Sequence, residues 1–296
     1  MTEAAARRAL ARQITRVANA NVRDVLTEFE DVFTRDSHRI ALTGAPGAGK
    51  STLITGLVRE RMKSCASDRM AVLAVDPSSP VSGGSLLGDR IRMDAIAELP
   101  GLFIRSLPSR GARNGLCDNV EDLLALVETH GYPEILFETV GVGQSEVDVR
   151  ALVDTVVLVV PPDAGDSVQT MKAGILEVAD IFVVSRGGLS SARRMASDIN
   201  AILDRVPAAP GCWRAPVVLT DTDGTGLAAL SDAISAHAAW LGARENREER
   251  ARARRDHHLR MMVNRRLDEV LSAEGCDAAR DVKTAFDNLI ARLPLD

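Results

Sequence analysis

Two hydrophobic patterns alternate along most of this chain: short continuous apolar runs, and longer stretches in which apolar residues recur every three or four positions. The short runs are typical of buried parallel strands and the longer stretches of amphipathic helices. The alternation predicts an α/β fold, a mostly parallel sheet with helices on both faces that gathers ligands at the carboxyl ends of its strands. The predicted strands are 40–43, 70–75, 102–106, 134–139, 154–160, 180–185 and 216–220, and the predicted helices are 3–33, 90–99, 120–129, 168–178, 190–205, 226–242, 244–272 and 278–293.

The pattern changes near both ends of the chain and predicts three segments. Residues 1–36 form an N-terminal helical extension, 37–242 a nucleotide-binding domain, and 243–296 a C-terminal helical arm. Arg and Glu alternate at the start of that arm, which is typical either of a solvated helix face or of a partner surface. The adjacent His257 and His258 face different sides of a helix and make a poor metal pair.

The first predicted strand runs into the spacing Gly44-x-x-x-x-Gly49-Lys50-Ser51, which a helical pattern follows. Strand, glycine-rich turn and helix together indicate a phosphate-binding loop, because backbone N–H groups and the helix N-terminus both attract an anion. We expect Lys50 to lie between the β- and γ-phosphates and Ser51 to bind Mg²⁺. The predicted phosphate-binding residues are Gly44, Ala45, Pro46, Gly47, Ala48, Gly49, Lys50, Ser51 and Thr52.

Acidic residues stand at the ends of later strands, where nucleotide hydrolysis needs metal ligands and positioned water. Glu138 precedes Gly141 by three residues, the spacing at which an acid reaches Mg²⁺ and a glycine N–H contacts the γ-phosphate. Asp76 ends a strand and Asp89 follows a glycine-rich loop, so both are candidate metal ligands, although turn capping would also explain them. Gln144 is either a residue that orients water or a solvated polar side chain. The predicted catalytic residues are Lys50, Asp89, Glu138 and Gln144, and the predicted metal ligands are Ser51, Asp76, Asp89 and Glu138.

Composition narrows the class of protein. The chain has 296 residues, of which 46% are hydrophobic and 26% charged, with a net charge of −5 that argues against binding nucleic acid or anionic membranes. Its four cysteines are far apart in sequence and form no metal or redox motif. We find no apolar signal core and no run long enough to span a bilayer, so we expect a cytoplasmic protein.

Five motifs in order resemble those of the MeaB/ArgK/MMAA family of P-loop GTPases. Besides the phosphate loop they include Val72-Leu-Ala-Val-Asp76 and Glu138-Thr-Val-Gly141. The similarity begins at Leu10 and extends into the C-terminal helices. The motifs occupy 44–52, 72–79, 83–93, 103–106 and 138–146.

The resemblance implies a function that the residues alone do not. Members of this family are chaperones of adenosylcobalamin-dependent acyl-CoA mutases, chiefly methylmalonyl-CoA mutase; they gate cofactor delivery and protect or reactivate the mutase, with Mg²⁺-dependent GTP hydrolysis as the switch. The resemblance also implies homodimerisation through a C-terminal arm matching 244–293. A segment that communicates with the mutase would fall on 161–174, where Lys172 is retained.

The chain departs from this family at the base-reading motif. Guanine is normally read by Asn-Lys-x-Asp, but Ser185-Arg186-Gly187-Gly188 follows the sixth strand, and the second base-reading segment reads Thr220-Asp221 instead of Ser-Ala. A missing carboxylate predicts relaxed preference for guanine over other purines. Arg186 and Asp221 are candidate base contacts, by stacking and by accepting hydrogen bonds respectively.

Four functions remain open from the sequence. The first is a nucleotide-hydrolysing chaperone of a B12-dependent mutase, and the second a degenerate, non-hydrolysing nucleotide-sensing module. A small-molecule kinase is disfavoured by the switch-like Glu138-x-x-Gly141. A nickel metallochaperone GTPase is disfavoured by the isolated cysteines and by having only five histidines.

Overall fold

A computed structural model describes residues 3–28, 37–64, 69–76, 93, 95–108, 116–139, 145–163, 178–205, 211–243 and 247–273. The chain divides into two compact units. The smaller comprises Met1–Thr34, Asn119–Leu126 and Asn246–Asp296, and the larger comprises Arg35–Asp118 and Val127–Glu245. The division into three segments at 36 and 242 stays a prediction.

The larger unit is built on a seven-stranded sheet in the order β3-β2-β4-β1-β5-β6-β7, and every pairing between its neighbours is parallel. The predicted α/β fold is therefore confirmed. The strands are β1 His38–Thr43, β2 Met70–Asp76, β3 Leu102–Pro108, β4 Glu134–Glu138, β5 Thr155–Val160, β6 Ile181–Val184 and β7 Val217–Leu219.

Eight helices lie within the described residues. They are α1 Glu3–Asn19, α2 Val22–Glu28, α3 Lys50–Ser64, α4 Val120–Thr129, α5 Ser145–Leu152, α6 Ser190–Leu203, α7 Leu227–Ala243 and α8 Arg247–Ala273. The pattern had not predicted α5. None of the described helices combines the length and the apolar character that crossing a bilayer requires.

Within the described residues, alternating side chains on the strands contribute to two hydrophobic clusters, one on each face of the sheet. On β5, Val157 and Val159 join the cluster that includes apolar residues of α3 and α7. Leu158 and Val160, one position out of phase, join the cluster that includes residues of α6. Because both faces are covered, the strands read as continuous apolar runs.

Strand register brings the candidate site together. Glu138, at the end of β4, is in register with Leu42 of β1 and with Ala74 of β2. Asp76 lies two residues beyond Ala74 on β2. The carboxyl ends of β1, β2 and β4 therefore meet at one edge, where β1 passes into the phosphate loop.

The smaller unit corrects the prediction of a single helix at 3–33. The described part of that segment is two helices, because the chain breaks at Ala20 and Asn21. The Asn21 side chain accepts a hydrogen bond from Asp24 N at 2.9 Å and so caps α2. Asn119 Nδ2 donates to the carbonyl oxygens of Val17 and Ala20 at 2.5 and 3.2 Å, which satisfies carbonyls at the end of α1.

The predicted helix at 90–99 is helical at Met93, but 95–98 forms turns, so the prediction is wrong for its last turn. Ile96 N bonds Met93 O at 3.0 Å and Leu99 N bonds Ile96 O at 3.0 Å, so the bonds close short turns instead of continuing an α-helix. The predicted helix at 278–293 and nearly all of that at 168–178 lie outside the described residues.

Candidate nucleotide-binding site

The loop that joins β1 to α3 requires glycine at its first position. The φ angle of Gly44 is +138°, and a Cβ there would lie 2.1 Å from the carbonyl oxygen of Val159 on β5. Gly47 and Gly49 also have positive φ, at +77° and +94°, but open space surrounds their missing side chains. The chain therefore lies tightly against the backbone of β5 at Gly44 and then turns into α3.

Lys50 opens α3 and folds back over the loop. Its Nζ donates to the carbonyl oxygens of Gly44 at 2.8 Å and Ala45 at 3.2 Å. These bonds fix a buried ammonium group at the N-terminal end of the helix, where the helix dipole is also positive. Anions are attracted to this combination.

Ser51 and Glu138 meet beneath the loop. Ser51 Oγ donates to Glu138 Oε1 at 2.9 Å, and both side chains are buried. Asp76, which is also buried, ends the neighbouring strand β2. A hydroxyl and two carboxylates form the hard oxygen donor set that Mg²⁺ prefers, so these residues fit the ion that the phosphate loop implies.

Thr139, the residue after Glu138, forms hydrogen bonds with the end of β1. Its N–H donates to Leu42 O at 3.2 Å, and its Oγ1 donates to Thr43 Oγ1 at 3.1 Å. These bonds extend the strand pairing to the last residue before the loop, so the backbone on either side of the Ser51–Glu138 contact is held. Sequence reasoning did not single out Thr139.

A cavity of about 570 Å³ opens beside the phosphate loop. It lies within the size range of small-molecule sites. The phosphate loop and α3 line one part of it, and the segments that follow β6 and β7 line another. The lining residues are Gly47, Ala48, Gly49, Thr52, Leu53, Thr55, Gly56, Arg59, Ser185, Arg186, Thr220, Asp221, Thr222 and Leu227.

The segments after β6 and β7 are tied together by backbone bonds. Gly187 N donates to Thr220 O at 2.9 Å, and Thr220 N donates to Val184 O at 3.0 Å. Arg186 adopts a φ of +53°, unusual for a residue with a side chain, and its guanidinium pairs with Asp163 at 2.9 Å. The two predicted base-reading segments are therefore adjacent.

Asp221 reaches across from the second segment to the first. Its Oδ2 accepts from Gly188 N at 3.0 Å and its Oδ1 from Thr222 N at 2.7 Å. The hydrogen bond from Gly188, followed by the one from Thr222, lowers the pKa of the Asp221 carboxyl below its ordinary value. The group is therefore held as a carboxylate at neutral pH.

The structure groups most of the predicted residues around this one cavity and the strand ends beside it. Asp89, Gly141 and Gln144 lie outside the described residues, so their roles stay predictions. Sequence reasoning missed Thr55 and Arg59, which line the cavity from α3. Their spacing was a usable signal, because Thr55 is three residues after Thr52 and Arg59 four residues after Thr55, which puts all three on one helix face.

Comparison with known proteins adds a family to this geometry. A family model described as "Methylmalonyl Co-A mutase-associated GTPase MeaB" matches residues 10–275. A protein of Pyrococcus abyssi, whose name describes a GTPase, is 40% identical over 263 residues, covering 87% of this chain and 80% of the relative. The mouse protein named "Methylmalonic aciduria type A homolog, mitochondrial" is 39% identical over 200 residues, covering 66% of this chain and 48% of that protein.

Solved structures show the same fold. One described as LAO/AO transport system kinase has a TM-score of 0.61 and 21% sequence identity, and the match covers 98% of each chain. At that level of identity the likeness extends to the fold alone.

Proposed function

We propose a specific role for this chain, which belongs to the MeaB family of methylmalonyl Co-A mutase-associated GTPases: it gates adenosylcobalamin loading of a B12-dependent acyl-CoA mutase and protects or reactivates that enzyme. Family and fold make the chain a P-loop GTPase. The observation that carries the proposal is the contact of Ser51 with Glu138 beneath the phosphate loop. That contact joins the residue after the P-loop lysine to Glu138, the strand end with which the motif Glu138-x-x-Gly141 begins.

Nucleotide binding and hydrolysis in this proposal depend on Lys50, Ser51 and Glu138, each with a separate role. Lys50 holds the β- and γ-phosphates, since its buried ammonium is already fixed at the mouth of the loop. Ser51 and Glu138, with Asp76 and the predicted ligand Asp89, hold Mg²⁺. When bound, Mg²⁺ neutralises the negative charge that develops on the phosphates during hydrolysis. Gln144 orients the attacking water.

The switch segment connects hydrolysis to the partner. Glu138 ends β4 and is followed within seven residues by the start of α5 at Ser145. A change at the γ-phosphate therefore acts on a short connection between a fixed strand end and a helix. In this proposal that connection, together with segment 161–174, relays the nucleotide state to the mutase.

Homodimerisation through the C-terminal helices is the second part of the proposal. Leu259 and Val263 are 62% and 49% exposed on α8 and lie four residues apart. This spacing places two large apolar side chains on one helix face, which favours a partner helix over solvent.

A lysine exchange tests the catalytic part. Lys50→Ala removes the phosphate ligand, and we expect nucleotide affinity and GTP hydrolysis to fall by at least about a hundred-fold, since charged hydrogen bonds to phosphate are lost. Lys63→Ala is the matched control, because that lysine is on the same helix and its side chain is 74% exposed. Phosphate release should be measured with and without a methylmalonyl-CoA mutase.

Protection of the mutase is the second readout. We expect wild type and Lys63→Ala to slow inactivation of the mutase during turnover, and Lys50→Ala to fail. If Lys50→Ala protects as well as wild type, the chain acts as a non-hydrolysing binding module instead. If wild type retains no cobalamin-dependent mutase in either nucleotide state, the chaperone role is wrong.

A further inference from the structure

The sequence departs from its family at Gly188, where a base-reading aspartate is expected, but the structure supplies a carboxylate at the same place. A Cβ built on Gly188 would lie 3.1 Å from Asp221 Oδ2. The side chain of Asp221 therefore fills space next to the position from which a side chain at 188 would project. Pairing of Val184 with Leu219 sets the two segments in register and makes this approach possible.

The Asp221 carboxylate is oriented by the protein on both oxygens. Gly188 N donates to Oδ2 and Thr222 N donates to Oδ1, at 3.0 and 2.7 Å. A carboxylate offers about four lone-pair sites. Oδ2 therefore keeps the capacity to accept one further hydrogen bond from a ligand. Oδ1 also accepts a long bond from Thr222 Oγ1 at 3.4 Å, which a ligand donor would replace.

Asp221 is also the only carboxylate among the described residues that line the cavity. Arg186, the neighbouring charged residue, has its guanidinium paired with Asp163 at 2.9 Å. The polar character of this part of the lining therefore favours a ligand edge that presents hydrogen-bond donors.

We propose that Asp221 is the base-reading residue of this site, and that it accepts hydrogen bonds from N1–H and the 2-amino group of guanine. The inference rests on the proposed function, since it needs a nucleotide whose phosphates occupy the loop at Lys50. Adenine presents an N1 acceptor and a C2–H at the equivalent edge, so it leaves the carboxylate without donors. This proposal replaces the prediction of a relaxed base preference: we expect selectivity for guanine, with Asp221 of the segment after β7 as the acceptor.

Exchange of Asp221 for asparagine should change the affinities for two nucleotides in opposite directions. In Asp221→Asn one acceptor becomes a donor amide, which suits xanthine, whose edge carries N1–H and a 2-oxo group. We expect GDP affinity to fall roughly ten- to a hundred-fold, xanthosine diphosphate affinity to rise, and ADP affinity to stay unchanged. Asp223→Asn is the matched control, because Asp223 is an exposed acid of the same loop whose carboxylate bonds Thr225 N at 2.8 Å.

Moving the carboxylate between the two segments tests the same idea in the opposite direction. In the double variant Gly188→Asp with Asp221→Ser, the acid projects from the first segment and the crowding at 3.1 Å is removed. We expect this variant to recover a GDP preference that Asp221→Ser alone has lost. Equal GDP-to-ADP ratios in the single and the double variant would contradict the inference.

Measurements on the wild-type chain keep the test independent of how the variants fold. Calorimetric titration with GDP, ADP and inosine diphosphate should rank GDP first, with inosine diphosphate roughly ten-fold or more weaker, because it lacks the 2-amino donor. Equal affinities for GDP and ADP would overturn the role of Asp221 while leaving the phosphate site intact. Binding of no diphosphate at all would instead overturn the proposed function.

Discussion

Arg61 holds the helix that carries Lys50 and Ser51 against the sheet, and its exchange for methionine should cost the fold several kcal/mol. The guanidinium of Arg61 pairs with both carboxylate oxygens of Glu134 on β4. Its Nη1 donates to Ser231 O on α7 at 2.9 Å. Arg61 is 3% exposed and Glu134 8%. One side chain therefore links α3, β4 and α7 away from solvent.

The magnitude follows from what remains after the exchange. Methionine retains much of the apolar stem of Arg61 but leaves the Glu134 carboxylate buried without its cation, which costs about 3–5 kcal/mol. Loss of the donor to Ser231 O adds about 1 kcal/mol. The sum is a large fraction of the roughly 5–15 kcal/mol by which ordinary domains are stable.

A double-mutant cycle separates the pair from the individual side chains. Urea denaturation followed by circular dichroism gives the free energy of unfolding for Arg61→Met, Glu134→Leu and the double variant. We expect the double variant to be less destabilised than the sum of the singles by at least about 2 kcal/mol, because neither charge is then left alone. The control cycle uses Arg214 and Asp204, whose side chains are 65% and 56% exposed and should couple by under about 1 kcal/mol. Coupling at the buried pair no larger than at this surface pair would refute the reasoning.

Three further predictions concern the loop, one buried acid and two thiols. Gly44→Ala should abolish GDP binding in calorimetry, because its Cβ would lie 2.1 Å from a strand carbonyl. Gly47→Ala has open space around its Cβ, so we expect it to lose only about 1–2 kcal/mol of GDP binding free energy, for its left-handed φ. Burial raises the pKa of Asp180 to about 6, so the unfolded chain loses this proton at lower pH than the folded chain. The free energy of unfolding should then fall by about 2 kcal/mol between pH 4 and 7 relative to Asp180→Asn, and a parallel urea-denaturation profile for the variant would contradict this. Burial raises the pKa of the Cys117 thiol to about 12, so iodoacetamide should alkylate exposed Cys212 in the native protein and Cys117 only after unfolding, as read by peptide mass spectrometry.

The regular elements could be predicted from sequence wherever burial sets the pattern. Strand β5 and helix α4 were found because their apolar residues follow a single period over the whole element. The break after α1 was missed, since the apolar spacing continues through it. Asn21 was the local signal, because an asparagine that caps the next residues favours a new helix start.

The grouping of the candidate phosphate and metal residues was predictable, because one loop and one strand end carry them at fixed spacing. Lys50 and Ser51 are adjacent in sequence, and the register of β1 with β4 needed only the parallel order to bring Glu138 near them. The contact between Asp221 and Gly188 could not be predicted from sequence spacing. It depends on pairing between β6 and β7, and β7 spans only Val217–Leu219, too short for a pattern to fix its register.

The approach of Asp221 to Gly188 supplies the proposed base site with the carboxylate that the segment 185–188 lacks. An aspartate at 188 would bring a Cβ to 3.1 Å from the existing carboxylate and place a second negative charge beside it. The two segments therefore have room for one base-reading carboxylate, supplied from either side. Glycine at 188 is then the residue that an acid at 221 requires, since it offers an N–H donor at 3.0 Å and no side chain. Related chains that exchange only one of these two positions should lose guanine selectivity, and chains that exchange both should keep it.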